Sequence, residues 1–383
     1  MNLARALASF VLLSSVPTVA QELAPFTAER SWQLERLGVP TLAPDGSFAI
    51  CAVTRYDMAS DKGLADLWLW RTDGSASRRL TTHVASEGAP SISPDGTRVL
   101  FVAERDGDKA PQLYVLPLDG GEARRVTSVP TGVAQPMWFQ DGKRIAFLTR
   151  VWRDLDGFEA QQKRLEEREA AKSKALIWDA APVTAWDVHV DDRELHLYAV
   201  TIEGGAVEPI TLGTGLELPR RAVPLESPLY DVAPDGKEVA FTADSDPAAN
   251  FTDSDVYTLA LGSKQAVNRT QGNRASDAVP QYSRDGKWLA FARQSVVGFY
   301  GDTRKLMLLD RASGALRAVA PNWDRSADNL VWSADSKKLY GAIDDAGTVR
   351  AYEIPIDGAP RALTSSPSFG ALAVAARAPN VLV

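Results

Sequence analysis

Glu166 and Glu167 stand side by side in a charged stretch, 154–174, rich in Glu, Lys, Arg, Gln and Ala. Two adjacent carboxylates can hold a peptide's free amino group by charge-assisted hydrogen bonds. A solvated helix face is the simpler account of them. The three histidines are His83, His189 and His196. His83 follows a strand end, and His196 alternates with Leu195 and Leu197, so each reads as structural or solvated. None has a Cys or His neighbour at metal-ligand spacing. Asp244, Asp246, Asp253 and Asp255 cluster, but not in the Asp-x-Asp-x-Asp-Gly order of a calcium loop, and read as a solvated acidic loop. Gly213-Thr214-Gly215 is too short to signal phosphate binding and reads as a turn. There is no G-x-S-x-G elbow, no H-E-x-x-H, no P-loop and no G-x-G-x-x-G after a strand. The sequence therefore offers no catalytic residues, no metal site and no cofactor site, and it leaves substrate-binding residues unassigned.

The elements that position these groups repeat. An apolar or aromatic residue, a small residue and Pro-Asp-Gly or a near copy precede an alternating apolar strand. Copies end at Gly46, Gly96, Gly142, Gly236, Gly286 and, with serine in the glycine place, Ser336. The intervals are 50, 46, 94, 50 and 50 residues. A second hairpin follows each copy, running from Trp68 to Gly74, Tyr114 to Gly120, Tyr198 to Gly204, Tyr257 to Gly262, Met307 to Gly314 and Tyr352 to Gly358. Most of these close on an apolar residue and Thr, as in Leu80-Thr81 and Val126-Thr127. Asp-Gly turns between alternating strands are hairpin signals. Four antiparallel strands per ~40–50 residues is the period of a β-propeller blade.

The fold class is thus all-β: a propeller over 41–383 with six complete four-stranded blades. The long interval is one blade with an insertion over about 151–180. Glu159/Lys163 and Lys163/Glu167 are spaced i,i+4, which predicts a helix over 154–174 that is polar most of the way round. It should project from the blade edge or lie over a neighbour. From about 365 a seventh blade begins, with strands at Leu372–Ala375 and Val381–Val383. An unfinished blade predicts a fragment of a longer chain, poorly stable when expressed alone because of its open edge.

The composition is that of a globular protein, with 383 residues, 45% of them hydrophobic and 24% charged. Residues 1–20 read as a secretory signal: Arg5 is the only charge, Ala6 to Val16 is apolar, and Thr18-Val19-Ala20 suits cleavage. The expected location is periplasmic or extracellular, with an opening segment and helix over 21–40. A net charge of −7 without a Lys/Arg block argues against nucleic acid. No apolar stretch reaches the length of a membrane span. Cys51 is the sole cysteine; it sits in Phe48–Val53 and reads as a small buried strand residue.

Three segments carry a family resemblance. The first is Phe26-Thr27 through Arg36-Leu37-Gly38-Val39-Pro40 and Pro44-Asp45-Gly46. The second is Ile177-Trp178-Asp179, Ala185-Trp186-Asp187 and Leu197-Tyr198. The third, and most specific, is Gly298-Phe299-Tyr300-Gly301-Asp302, Leu306 to Arg311, Trp323-Asp324-Arg325-Ser326 and Trp332-Ser333. Together they resemble the propeller of the prolyl oligopeptidase family of serine peptidases, in the acylaminoacyl-peptidase and bacterial dipeptidyl-peptidase branch. The resemblance implies a propeller that caps an α/β-hydrolase domain and admits short peptides but not folded proteins. The family's Ser, Asp and His lie downstream of the propeller, and no position here matches them. The chain is then expected to be inactive alone, its partners short peptides met through the missing hydrolase domain, with homo-oligomerisation left open. The alternative is a TolB-like periplasmic propeller that binds a protein partner.

Overall fold

The computed structural model describes residues 25–173, 175, 177–178, 184–185, 188–190, 192–219, 228–244, 253–327, 330–365, 370–379 and 381–382. The chain divides into two units, Met1–Leu34 and Glu35–Val383. In the first, a short helix, α1 (Ala28–Gln33), is capped by Thr27, whose hydroxyl accepts the Arg30 N–H at 3.3 Å. It is much shorter than the opening segment 21–40 within which a helix was expected.

The second unit is an all-β propeller of six blades, each with four antiparallel strands that pair in chain order. The first blade carries one strand more than expected, because Arg36–Leu37 pairs with Phe48–Asp57 beyond the Thr41–Leu42 ladder. The third blade runs Ala134–Trp138, Arg144–Val151, Glu194–Thr201 and Glu208–Pro209, so the long interval is one blade with an insertion. The outermost strands are two or three residues long, which leaves little open edge for pairing.

The repeated phrase is repeated chemistry. In each blade the turn Asp accepts the backbone N–H two residues on: Asp45 from Ser47, Asp95 from Thr97, Asp141 from Lys143, Asp235 from Lys237, Asp285 from Lys287 and Asp335 from Lys337. The next residue takes a positive φ, which glycine adopts without strain. Ser336 adopts φ 58° in the glycine place, and its hydroxyl accepts the Asp285 N–H of the neighbouring turn at 3.0 Å. The closing threonines have one task as well. Thr81, Thr127, Thr211, Thr270 and Thr364 each accept a third-strand N–H, from Leu67, Leu113, Leu197, Val256 and Ala351. Blade five closes with Val319-Ala320 instead and has no such bond.

Alternation sends successive side chains to opposite faces, so the cores lie between blades. Phe101, Val99 and Ile50 join blades one and two; Phe147, Leu100 and Leu113 join two and three. Phe139, Phe241 and Leu259 join three and four. After blade six, Ala373–Val374 pairs with Val381–Leu382 in a two-stranded sheet. Ala373 and Ala375 pack on Leu42 and Ala49 of blade one, while Leu372 and Val374 pack on Tyr340 and Ala351 of blade six. The Arg377 N–H also bonds the Pro44 carbonyl at 2.7 Å. This short sheet thereby occupies the gap between the last full blade and the first. Cys51 is buried, as expected, and burial raises its thiol pKa.

Candidate functional site

The insertion of blade three contains a second helix, α2 (Gly157–Ala170), shorter at both ends than the expected 154–174. Asp154 lies before it and forms a two-pronged ion pair with Arg164, at 3.0 and 2.8 Å. This bond holds the Asp154 carboxyl below its usual pKa range. Although α2 is polar, it does not project. Gln161 is buried and reads both backbone groups of Trp152: its carbonyl accepts the N–H at 2.9 Å and its amide donates to the C=O at 2.8 Å. The guanidinium groups of Arg164, Arg168 and Arg193 lie 5.3, 4.6 and 5.5 Å from the centre of a Trp152 ring. Trp152 donates its indole N–H to Asp192 at 2.9 Å, and Arg168 pairs with the same carboxylate. Phe158 stacks obliquely on Tyr198, 5.5 Å away. The helix is therefore bolted to its own blade by polar bonds, a means of docking that hydrophobic patterning does not reveal.

Between α2 and the loop 106–110 of blade two lies a groove of about 510 Å³, lined by Asp106, Asp108, Gln112, Arg125, Phe158 and Glu159, among others. Its floor is fixed. Asp108 accepts the Tyr114 hydroxyl at 2.7 Å and pairs with Arg125 at 3.0 Å. Burial, followed by the bond to Asp108, pushes the Tyr114 phenol up to about 12. Gln112 ties Thr127 and Val129 to the same floor. Its rim carries two exposed acids and one exposed lysine: Asp106 is 79% exposed by side chain and touches His83 at 3.3 Å, and Glu159 and Lys109 are exposed. A groove with a paired floor and two acids to one lysine on its rim has carboxylates to offer a cationic group on an otherwise neutral ligand.

The watched carboxylates stand elsewhere. Glu166 accepts from Gln162 at 2.7 Å and Glu167 lies 4.0 Å from Lys163, both on the exposed face of α2. The sequence missed Glu159 because only the fold shows which helical turn borders blade two. His196 also has an unforeseen setting. It is 2% exposed, with Nδ1 3.1 Å from the Thr211 hydroxyl and Nε2 3.1 Å from Glu194. A hydroxyl, an imidazole and a carboxylate in series have the order of a hydrolytic triad. Thr211 is fully buried and its oxygen already accepts the Leu197 N–H, so no substrate reaches it. His196 is structural, as the alternating pattern implied. His189 packs beside Trp178, with ring centres 5.1 Å apart.

The acidic loop is corrected. Asp244 ends a strand (Glu238–Asp244) and Asp255 lies within another (Ser254–Ala260), 4% exposed, bonded to Thr270 at 2.6 Å and Asn268 at 2.7 Å. Alternation across the ladder turned Asp255 inward, where those donors meet it. Asp246 falls outside the described residues. Gly213 and Gly215 have positive φ and flank a turn in which Thr214 N–H bonds the Thr211 carbonyl, as expected. Among the described residues no group of three His, Cys, Asp or Glu side chains is placed to hold a metal.

Residues 29–182 match the family model described as TolB beta propeller domain. The dipeptidyl-peptidase 5 of Porphyromonas gingivalis is 26% identical over 325 residues, taking in 82% of this chain and 45% of that protein. The dipeptidyl-peptidase 5 of Arthroderma otae is 24% identical over 398 residues, with 97% and 54% covered. The chain spans about half the length of the curated relatives it matches. Among solved structures, Pyrococcus horikoshii acylaminoacyl peptidase superposes with a TM-score of 0.64 at 17% identity, covering 90% of this chain and 48% of that one. The β-propeller domain of the Trilobed protease from Pyrococcus furiosus gives 0.59 at 15% identity, covering 87% and 84%. These structural likenesses establish the propeller fold, and the curated relatives connect the sequence to dipeptidyl-peptidases.

Proposed function

We propose that this chain is the substrate-gating propeller of an exported serine exopeptidase that takes short peptides. The observation that carries the reading is the extended similarity to dipeptidyl-peptidase 5 proteins, which runs through most of the chain but only about half of each relative. In this reading the nucleophile, base and orienting acid belong to an α/β-hydrolase domain outside the matched half. The sheet at 373–382 is the start of a seventh blade. The ring excludes folded chains, and the groove beside α2 receives the substrate's free amino end through the carboxylates of Asp106 and Glu159. Rigid docking of α2 supports the last point, because a site for a charged group gains from carboxylates held in place.

The test uses the full product of the gene. It is incubated with a short peptide bearing a free amino terminus, with the N-acetylated copy and with a folded protein, and the products are read by mass spectrometry. Successive dipeptides from the free peptide, slower cleavage of the acetylated copy and none of the folded protein are expected. Cleavage of the folded protein would remove the gating role. A second reading, a propeller that binds a protein partner, is favoured by the match of residues 29–182 to the TolB-type domain. No cleavage of any substrate would turn the choice to it.

A further inference from the structure

Three blade junctions, one to two, two to three and five to six, are stapled by one recurring arginine, whereas the same position of blade three holds Glu208. Arg78, Arg124 and Arg317 occupy one register position of the outermost strand, opposite Leu69, Val115 and Leu308. Each donates to a carbonyl of the next blade: Leu118, Ile202 and Ile356 respectively. Those three acceptors are equivalent too, since each sends its own N–H to the start of its blade's second strand, at Thr97, Lys143 and Lys337.

At the junction of blades four and five the donor half of the staple is missing, while the position of the carbonyl acceptor is kept. The residue opposite Thr258 is Val267, 48% exposed, which has no donor. The acceptor position, identified by its N–H bond to Lys287, is Arg311. The Arg311 side chain turns back, donating to the Gly286 carbonyl at 2.6 Å and to Glu238 at 3.0 Å. Where the staple would lie there is a cleft of about 550 Å³, bordered by Arg269, Lys287, Trp288, Leu309 and Arg311 among others. That volume is in the range of small-molecule sites.

Its charges are unevenly committed. Of the two acids on the lining, Glu238 is satisfied by Arg311 and by the Tyr282 hydroxyl at 2.7 Å, and Asp310 accepts the Ala312 and Ser313 N–H groups at 2.9 Å each. Arg269 spends only Nε, on the Thr258 hydroxyl at 2.8 Å. Lys287 is 76% exposed by side chain, with Asp285 3.5 Å away. A cationic rim over Leu289 and Leu309 thus stands in a protein whose net charge is −7.

We infer that the cleft between blades four and five binds a small carboxylic acid with an apolar or aromatic body. Arg269 and Lys287 hold the carboxylate, and Leu289 and Leu309 cover the body. This site is separate from the groove beside α2 and does not depend on the peptidase reading. The probe is N-acetyl-L-phenylalanine, titrated into the protein by calorimetry beside its uncharged amide. The acid is expected to saturate with a dissociation constant of about a millimolar or tighter, and the amide to bind at least about tenfold more weakly. Joint replacement Arg269→Ala with Lys287→Ala is expected to weaken the acid by about tenfold or more. Val267→Arg, which supplies the missing staple, should close the site. Equal binding of acid and amide, no saturation, or unchanged affinity in both variants would overturn the proposal.

Discussion

The two ends of the propeller blades differ in how they use their sequence. At the end holding the Asp-Gly turns, six blades repeat one set of bonds, from an Asp carboxylate to the N–H two residues on. At the opposite end the connections diverge. Blade two has the Asp108–Arg125–Tyr114 floor, blade three has α2, and blade five has a loop whose Gln294 amide donates to the Tyr300 and Asp302 carbonyls at 3.2 Å each. Uniform bonds at one end build the ring. The unlike connections at the other give each blade its own surface, the kind of variation on a rigid scaffold that can carry function.

The largest effect expected from breaking this contrast is at the divergent end. Glu87 and Arg105 form a buried ion pair, with side chains 0% and 9% exposed. Arg105→Ala leaves the carboxylate buried without its cation and should cost about 3–5 kcal/mol, read as a lowered denaturation midpoint. Next is an exception within the uniform end. Burial raises the Asp231 carboxyl to about 6, against the pull of the Tyr282 and Val232 N–H groups and Arg284. Because the folded value exceeds the unfolded 3.8, ionisation of this group removes stability as pH rises from about 4 to about 6. Asp95 behaves oppositely: bonds from Ser93 and Thr97 outweigh its desolvation and lower it to about 2, so its contribution is lost only as pH falls from about 4 through 2. Between pH 4 and 6 thermal melts should therefore show Asp231→Asn losing part of the wild-type gain at the lower pH, on the order of 2 kcal/mol.

Gln161→Ala should strand the Trp152 N–H and carbonyl and cost about 1–3 kcal/mol. Hydrogen exchange would then quicken across 157–170 while the turn-end amides stay protected. The smallest effects sharpen the uniform end. Gly96→Ala places a side chain at φ 79°, with Pro44 Cδ 3.6 Å from the new Cβ, and should cost about 1–2 kcal/mol. Ser336→Gly relieves the same strain but gives up the bond from Asp285, so its net change should stay within about 1 kcal/mol. Denaturant titrations of the two variants side by side would show whether the sixth turn really substitutes a hydroxyl for a glycine.

The uniform end was legible in the sequence because turn chemistry is local. Asp, Gly and the strand after them sit within a few residues, and the closing threonines repeat at a fixed place in each blade. The six blades, the insertion and the buried Cys51 follow from that spacing. What stayed hidden depends on partners far apart in the chain. The 106–110 loop and Glu159 meet only once blades two and three are side by side. Gln161 looks like any polar helix residue until Trp152 is found beneath it. Asp255, taken for a loop residue, faces inward because alternation on the strand sets its side. The acid pair at 166–167 drew notice for its adjacency, whereas the helical period turns it toward solvent.

The most direct test of a substrate-reading role for the divergent end is the kcat/KM ratio between a free-amino peptide and its N-acetylated copy, measured on the full gene product before and after Glu159→Gln. Glu159 is an exposed residue in the first turn of α2. A fall of about tenfold or more in that ratio, with the acetylated peptide unaffected, is the expected result. An unchanged ratio in an enzyme that still releases dipeptides would contradict the groove's role and return α2 to a purely structural part.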